Sequence, residues 1–348
     1  MRPPLRRQLA SPAQLAAMSA DDRQHLFGGM LIGAGVRTSA GAERLLPLVA
    51  PLLESGQSEL CELWFSTSPC RFDVAQGISF SCDDRLLYGI VEVDETVFAD
   101  NGMSVNVQSS PIQLAAEDAY RRIFTLLDHL GYPYLWRTWN FLAHINGEEQ
   151  GLERYRQFNM GRHQAFCASG RLTRDTVPAA CALGVAGGPL SVAFMAGRSA
   201  PQSLENPRQM AAYEYPEDYG PRSPTFSRAT LVCLPGQELL FVSGTASILG
   251  HATMYAGDVV AQTGETVANL AAVVEEANRR SPPDSPPWRL GNLAYRAYIR
   301  HAADFGAVRD VLHQALGIET EVIFVQADIC RADLLVEVEA FGIRDTGA

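Results

Sequence analysis

Val325 to Phe341 reads VQADICRADLLVEVEAF, a strand, a turn and a second strand. Val325–Ala327 ends one apolar run, Asp328–Asp333 is a polar turn containing Cys330, and Leu334–Phe341 alternates with period two. That period places Leu335, Glu337, Glu339 and Phe341 on one face, and Leu334, Val336, Val338 and Ala340 on the other. Two carboxylates between apolar neighbours on one face allow two readings. Taken alone, the pattern is better explained by two solvated glutamates. If instead one carboxyl is desolvated, burial raises its pKa and makes it a general acid near neutral pH. The rest of the chain decides between them.

Working outward, the same alternation of elements occurs twice. In the first half, strand-like runs at Leu60–Phe65, Gly77–Cys82 and Leu86–Val93 precede a helix over Pro111–Leu130 that stops at Gly131. An aromatic strand Tyr134–Leu142, a helix Gly151–Phe166 and two strands, Val177–Val185 and Leu190–Ala196, complete that half. In the second half a hairpin, Ala229–Cys233 and Leu239–Thr245, precedes a helix over Glu265–Asn278. A strand Leu293–Arg300, a helix Asp304–Leu316, and strands Glu321–Ala327 and Leu334–Phe341 follow. Beyond one extra leading run in the first half, each half reads strand, strand, helix, strand, helix, strand, strand, a duplication of element order without close residue identity. The expected fold class is α+β, with each half a sheet covered on one face by two helices.

The chain divides into an extension over residues 1–55, a first domain over 56–200, a linker over 201–228 and a second domain over 229–348. The extension reads mostly as helix or loop. Its Met30–Gly41 stretch, MLIGAGVRTSAG, has Gly33 and Gly35 in dinucleotide-turn spacing. Thr38 occupies the third glycine position and no long strand is expected before it, so NAD is discounted. The region Gly197–Arg228 is unlike an ordinary linker. It carries Arg198, Arg208, Arg222 and Arg228, together with Tyr213, Tyr215, Tyr219 and five prolines. These are donors for anions, and an inter-domain cleft is the natural place for them.

Composition removes several function classes. The net charge of −11 disfavours nucleic acid. All 28 basic residues are arginine, so no lysine is present to form a Schiff base or to serve a phosphate-binding loop. Anionic groups must be held by arginine, which suits carboxylates. No nucleophile elbow, paired-histidine motif or calcium loop occurs, so neither metal nor cofactor is expected. The seven cysteines include no CxxC, and no apolar run follows the basic start Met1–Arg7, so a reducing, cytoplasmic setting is expected. Val177–Gly197 is long enough to span a membrane, but Gly187-Gly188-Pro189 interrupts it, and two buried strands explain it better.

The second half resembles the RidA (YjgF-type) family through Leu240–Ala246 (LFVSGTA), Gly257-Asp258-Val259, Gln262–Thr266 (QTGET), Asn269-Leu270 and Val336–Ala340 (VEVEA). The whole chain is similar to the chorismatases. That likeness is carried by Glu205–Ala229, ENPRQMAAYEYPEDYGPRSPTFSRA, and by Gly151–Phe166, GLERYRQFNMGRHQAF. The resemblance implies two tandem RidA/YjgF-like domains, the first degenerate. It also implies release of pyruvate from chorismate, with Glu337 protonating the enolpyruvyl ether. Gly244 and Cys330 match the subgroup that makes 3-hydroxybenzoate. Hydrolysis to a dihydroxycyclohexadiene carboxylate and mixed 3- and 4-hydroxybenzoate are the neighbouring outcomes, and Gly244→Ala with Cys330→Ala is expected to retain pyruvate release while shifting the ring product.

Arg162 and Arg228 are the expected carboxylate ligands, with Tyr155, Tyr213 and Tyr219 as hydroxyl donors, whereas Arg154 and Arg156 are expected in solvent. RidA enzymes hold a carboxylate with an arginine fifteen residues before the strand glutamate, and Val322 stands there. That departure counts against the rival reading of an imine deaminase. Glu337 also counts against a third reading, a non-catalytic binder of aromatic or keto acids, although a binding site uses carboxylates too. RidA trimers build sites between subunits, and a tandem pair in one chain can build the same cleft alone, which points to a monomer.

Overall fold

The computed structural model describes residues 4–36, 42–53, 56, 58–98, 109–173, 176–283 and 285–346. The duplication is visible in the sheets. In the first, the strand order is Arg71–Ala75, Ile78–Cys82, Leu86–Val93, Leu190–Gly197, Tyr134–Ala143, Ala179–Val185. In the second it is Gln202–Leu204, Ala229–Leu234, Gln237–Ala246, Val336–Asp345, Ala294–Ile299, Val322–Gln326. Corresponding strands take corresponding places, and each repeat contains one parallel pair bridged by a helix, Arg154–Ala168 or Phe305–Leu316. The fold class is α+β with two tandem domains of matching strand order.

Helices Pro111–Leu130 and Arg154–Ala168 cover one face of the first sheet, and Val259–Arg280 and Phe305–Leu316 cover one face of the second. The longer helix of the first domain starts at Ser110, whose hydroxyl accepts from the Gln113 N–H, and ends on left-handed Gly131. The other presses its backbone against it: a Cβ on Gly161 would lie 1.9 Å from the Gln113 carbonyl oxygen. That close crossing holds the helix that carries Tyr155 and Arg162.

The helix-free faces of the two sheets share one core. Trp136, Trp139, Phe241, Tyr298 and Val325 meet there. The strand edges also join: the Ala180 N–H donates to Ser243 Oγ at 2.9 Å, and the Ala179 N–H to Thr230 Oγ1 at 2.9 Å. The short strand Asp328–Ile329 leaves the second domain and pairs with Ala179–Val185 of the first. The turn carrying Cys330 is therefore built by both domains.

The N-terminal region departs from expectation. Leu5–Ala10, Leu26–Gly33 and Leu45–Val49 are strands, and with Glu59–Ser66 they form a sheet of their own. The extension is thus not mostly helix or loop, and its sheet runs past residue 55. The run Leu60–Phe65 belongs to this sheet rather than to the first repeat. Leu26–Gly33 is buried at every position, so it shows no alternation that a sequence pattern could report. Gly33 ends that strand, and the next described element is strand Leu45–Val49, so among the described residues no helix follows the glycines as a dinucleotide site requires. Thr38 lies outside the described residues. Val177–Gly197 forms two strands as expected, and among the described residues no helix is long and apolar enough to cross a membrane.

Candidate active site

Strand Val336–Asp345 lies at the centre of the second sheet, between Gln237–Ala246 and Ala294–Ile299. The partner strand slips register between Val242 and Thr245, so Ser243 and Gly244 form a bulge beside Glu337. Glu337 occupies the space this creates. A Cβ on Gly244 would lie 1.8 Å from Glu337 Oε1 and 2.6 Å from Cδ. The glycine therefore makes room for the carboxyl itself, and it also lines the cavity onto which the carboxyl opens. Gly244 is also close to Cys181, whose Cβ is 3.1 Å from the same point.

Glu337 is 3% exposed and opens onto a cavity of about 430 Å³ between the domains. Tyr155 and Arg156 come from the first domain's helix, Tyr215, Tyr219 and Arg228 from the linker, and Cys330 and Arg331 from the turn. An inner recess of about 30 Å³ joins Glu337 to Arg162, Tyr155 and Cys181. A larger groove of about 520 Å³ lies elsewhere, lined by Val322 and Phe324 with His313 and Glu321; it contains neither Glu337 nor a buried arginine. Among the described residues no cluster of His, Cys, Asp and Glu is arranged to hold a metal ion.

The arginines are unusual. Arg162 is 1% exposed; one Nη donates to Asn159 Oδ1 at 2.9 Å, and its Nε–H has no partner. Arg228 is 4% exposed; Nη2 donates to the Tyr215 hydroxyl at 2.7 Å and the Met210 carbonyl at 2.8 Å, and its Nε–H is also unpartnered. Neither makes an ion pair among the described residues. A buried guanidinium with an empty donor is costly unless an anion arrives to meet it.

Burial, reinforced by the Glu339 charge, pushes the Glu337 carboxyl up to about 8, against the opposing pull of Arg137 and Arg228. At neutral pH it is mostly a neutral acid. Cys330 Sγ donates to Glu337 Oε2 over a long 3.9 Å. Burial and the neighbouring Glu337 raise the Cys330 thiol far above its ordinary range, so it is a donor near neutral pH and has no thiolate to act as a base. Tyr155 is raised for the same first reason, burial, with Cys330 adding to it.

A family model described as "Chorismatase FkbO/Hyg5-like, N-terminal" matches residues 62–196. A chorismatase of Streptomyces rapamycinicus is 33% identical over 345 residues, 97% of this chain and 99% of the relative. The chain belongs to the chorismatase family. A protein named 3-hydroxybenzoate synthase from Streptomyces hygroscopicus is 34% identical over 301 residues, 84% of this chain and 83% of the relative. A chorismatase crystal structure superimposes with a TM-score of 0.82 at 30% identity, covering 97% of this chain and 98% of that one.

Set against the residues expected for a chorismatase, the cavity gathers Glu337, Cys330, Gly244, Tyr155, Tyr219 and Arg228, with Arg162 in its recess. Tyr213 is not among them. It packs toward the first domain's helices and lines a separate cavity with His163 and Arg222. The turn Ala212–Glu214 breaks the alternation of the linker and sends Tyr215 inward in its place. Arg154 is not in solvent: it pairs with Glu95 at 2.6 Å and Glu149 at 2.8 Å. Arg156 lines the cavity despite its partial exposure. Arg331 was not anticipated. Its guanidinium lies 4.1 Å from the Tyr219 ring centroid and 5.3 Å from that of Tyr215, and it donates to the His251 carbonyl at 2.8 Å. Its position next to Cys330 was the available signal. Val322 faces its own domain's helices, away from Glu337.

Proposed function

We propose that the protein releases pyruvate from chorismate and leaves 3-hydroxybenzoate. The observation that supports this most is the pairing of opposites in one cavity. Two buried guanidiniums pair with no carboxylate among the described residues, and facing them is a carboxyl held neutral. Such a site suits a dianion that must be protonated. Arg228 and Arg162 meet the two substrate carboxylates, with Arg156 and Arg331 adding positive charge at the wall. The net charge of −11 repels a dianion at long range, so this local reversal of sign is what admits it.

Glu337 then protonates the methylene carbon of the enol ether. The adjacent carbon becomes an oxocarbenium, which turns the ether oxygen into a leaving group. The neighbouring ring hydroxyl, in place of water, attacks the ring carbon bearing the ether, and that ring C–O bond breaks to release pyruvate. The hydroxyl proton returns to Glu337, and the arene oxide opens with loss of a ring proton to its oxygen. All atoms of chorismate appear in the two products, so no water is consumed. Cys330, fixed as a thiol beside Glu337, donates to the carboxylate that forms. Every group in this scheme comes from one chain, so a monomer suffices. Seven free cysteines suit a reducing cytoplasm.

Incubation with chorismate and chromatography of the products tests the proposal. Pyruvate and 3-hydroxybenzoate in equal amounts are expected. Pyruvate with a dihydroxydiene acid instead makes the enzyme a hydrolase, and absence of pyruvate removes the reading. A second test concerns the cations. Arg228→Gln removes a charged donor worth about 1.5–3 kcal/mol, so KM for chorismate is expected to rise by roughly ten- to a hundredfold. An unchanged KM in the folded variant places the carboxylates elsewhere.

A further inference from the structure

A charge cluster lies buried beneath the cavity and takes no part in the scheme above. At its centre is Glu339, two residues from Glu337 on the same face of the strand. Arg137 from strand Tyr134–Ala143 donates to Glu339 Oε2. Arg296 Nη1 is 2.9 Å from Oε1, and the Tyr298 hydroxyl donates to the same oxygen at 3.0 Å. Arg296 reaches on to Glu62 of the N-terminal sheet, which also bonds Arg7. Arg137, Arg296, Glu62 and Glu339 are each 5% exposed or less. The cluster ties together the N-terminal sheet and both domains. None of these residues lines the cavity or its recess.

A buried ion cluster of this kind is a poor source of stability, because desolvation offsets most of the attraction. Its placement suggests another use. Glu337 is surrounded by Arg228 from the linker, Arg162 and Tyr155 from the helix, Arg137 and Cys181 from the first sheet, Cys330 from the turn and Tyr298 from the neighbouring strand. Three of these neighbours are cations that favour a carboxylate. A catalytic acid must stay protonated among them. The anion set against them on its own strand is Glu339.

We propose that Glu339 and Arg137 are positioning residues that set the protonation state of Glu337, with Glu339 favouring the acid and Arg137 limiting how strongly it is held. The inference rests on the reading of Glu337 as general acid. The signs found for Glu337, raised by Glu339 and lowered by Arg137, agree with the geometry. The two residues therefore have opposite expected effects, which damage to the fold does not imitate.

The test is the pH dependence of pyruvate release. Activity requires protonated Glu337, so the rate falls on the alkaline side as pH passes its pKa. Glu339→Gln removes the anion and leaves Arg137 without its partner, so the alkaline limb is expected to move to lower pH by about one unit or more. Arg137→Gln leaves Glu339 held by Arg296 and Tyr298, and the limb is expected to move to higher pH. Simple structural damage lowers the rate without moving the limb.

Infrared difference spectra between the wild type and Glu337→Gln follow the Glu337 carboxyl band directly, without substrate. In the wild type the protonated band is expected to persist until pH approaches about 8. If it vanishes below pH 5, or if the two variants leave the limb in place or move it the same way, the proposal fails. Failure of the general-acid reading is distinct: Glu337→Gln then turns over chorismate normally, while the infrared titration still reports what the cluster does to the carboxyl.

Discussion

Glu337→Gln is expected to abolish pyruvate release and, at the same time, to make the folded protein more stable above pH 5. Gln keeps the size of the side chain but has no proton to give, so the loss is on the order of 10²–10⁴ in rate. The stability gain follows from linkage. The ordinary value of the carboxyl is 4.5 and its folded value is about 8. Below pH 4.5 both folded and unfolded chains hold the proton, and the wild type incurs no ionisation penalty. Between 4.5 and about 8 the unfolded chain is ionised and the folded one is not, so unfolding releases a proton and native stability falls as pH rises. The slope is about 1.4 kcal/mol per pH unit, giving a few kcal/mol in total.

The Gln variant escapes that slope. Its advantage over the wild type should open above pH 4.5, grow to about 8 and then stay level. Denaturant melts of both proteins at pH 5 and pH 8 give the comparison. A constant difference between the two pH values would show that Glu337 is not held protonated. Wild-type turnover by the folded variant would remove it from the chemistry.

Gly244→Ala is expected to lower pyruvate release by about a hundredfold, the scale associated with an ångström of misplacement at reacting atoms. The new methyl meets Glu337 Oε1 at 1.8 Å, and the flanking pairs Val242–Ala340 and Thr245–Val338 anchor both ends of the bulge. The carboxyl is the movable partner, so it swings away. This changes the expectation for the double variant with Cys330→Ala. Retained pyruvate release with a shifted ring product supposed that the glycine accommodates the substrate. With the carboxyl in that space, the double variant loses rate as well.

The effect of Cys330→Ala on product ratio is therefore best measured alone. Glu337→Asp supplies a control. The shorter acid leaves room for the methyl, so the Gly244→Ala penalty should shrink when Glu337→Asp is already present. Equal penalties in both backgrounds would mean that the alanine acts through something other than the carboxyl. Steady-state rates of the four proteins decide the point.

The sequence by itself determined the two repeats, because their elements are long, periodic and punctuated by ordinary stops such as Gly131. It also placed Glu337 and Glu339 on one face, since a strand's period is two regardless of its surroundings. The tertiary structure alone decided which of them opens onto the cavity. Glu339 is bonded by Arg137, 202 residues away, and by Arg296, whereas Glu337 meets the cavity and a thiol. Such partners come from other strands, and no local pattern encodes them. The N-terminal sheet was illegible for a related reason: Leu26–Gly33 is buried on both faces and shows no alternation. Tyr215 and Arg331 entered the site through short turns, where side-chain direction follows neither the helical nor the strand period. The linker's arginines and tyrosines announced an anion site by composition. Which of them reach the cavity depended on how two sheets and a turn pack around it.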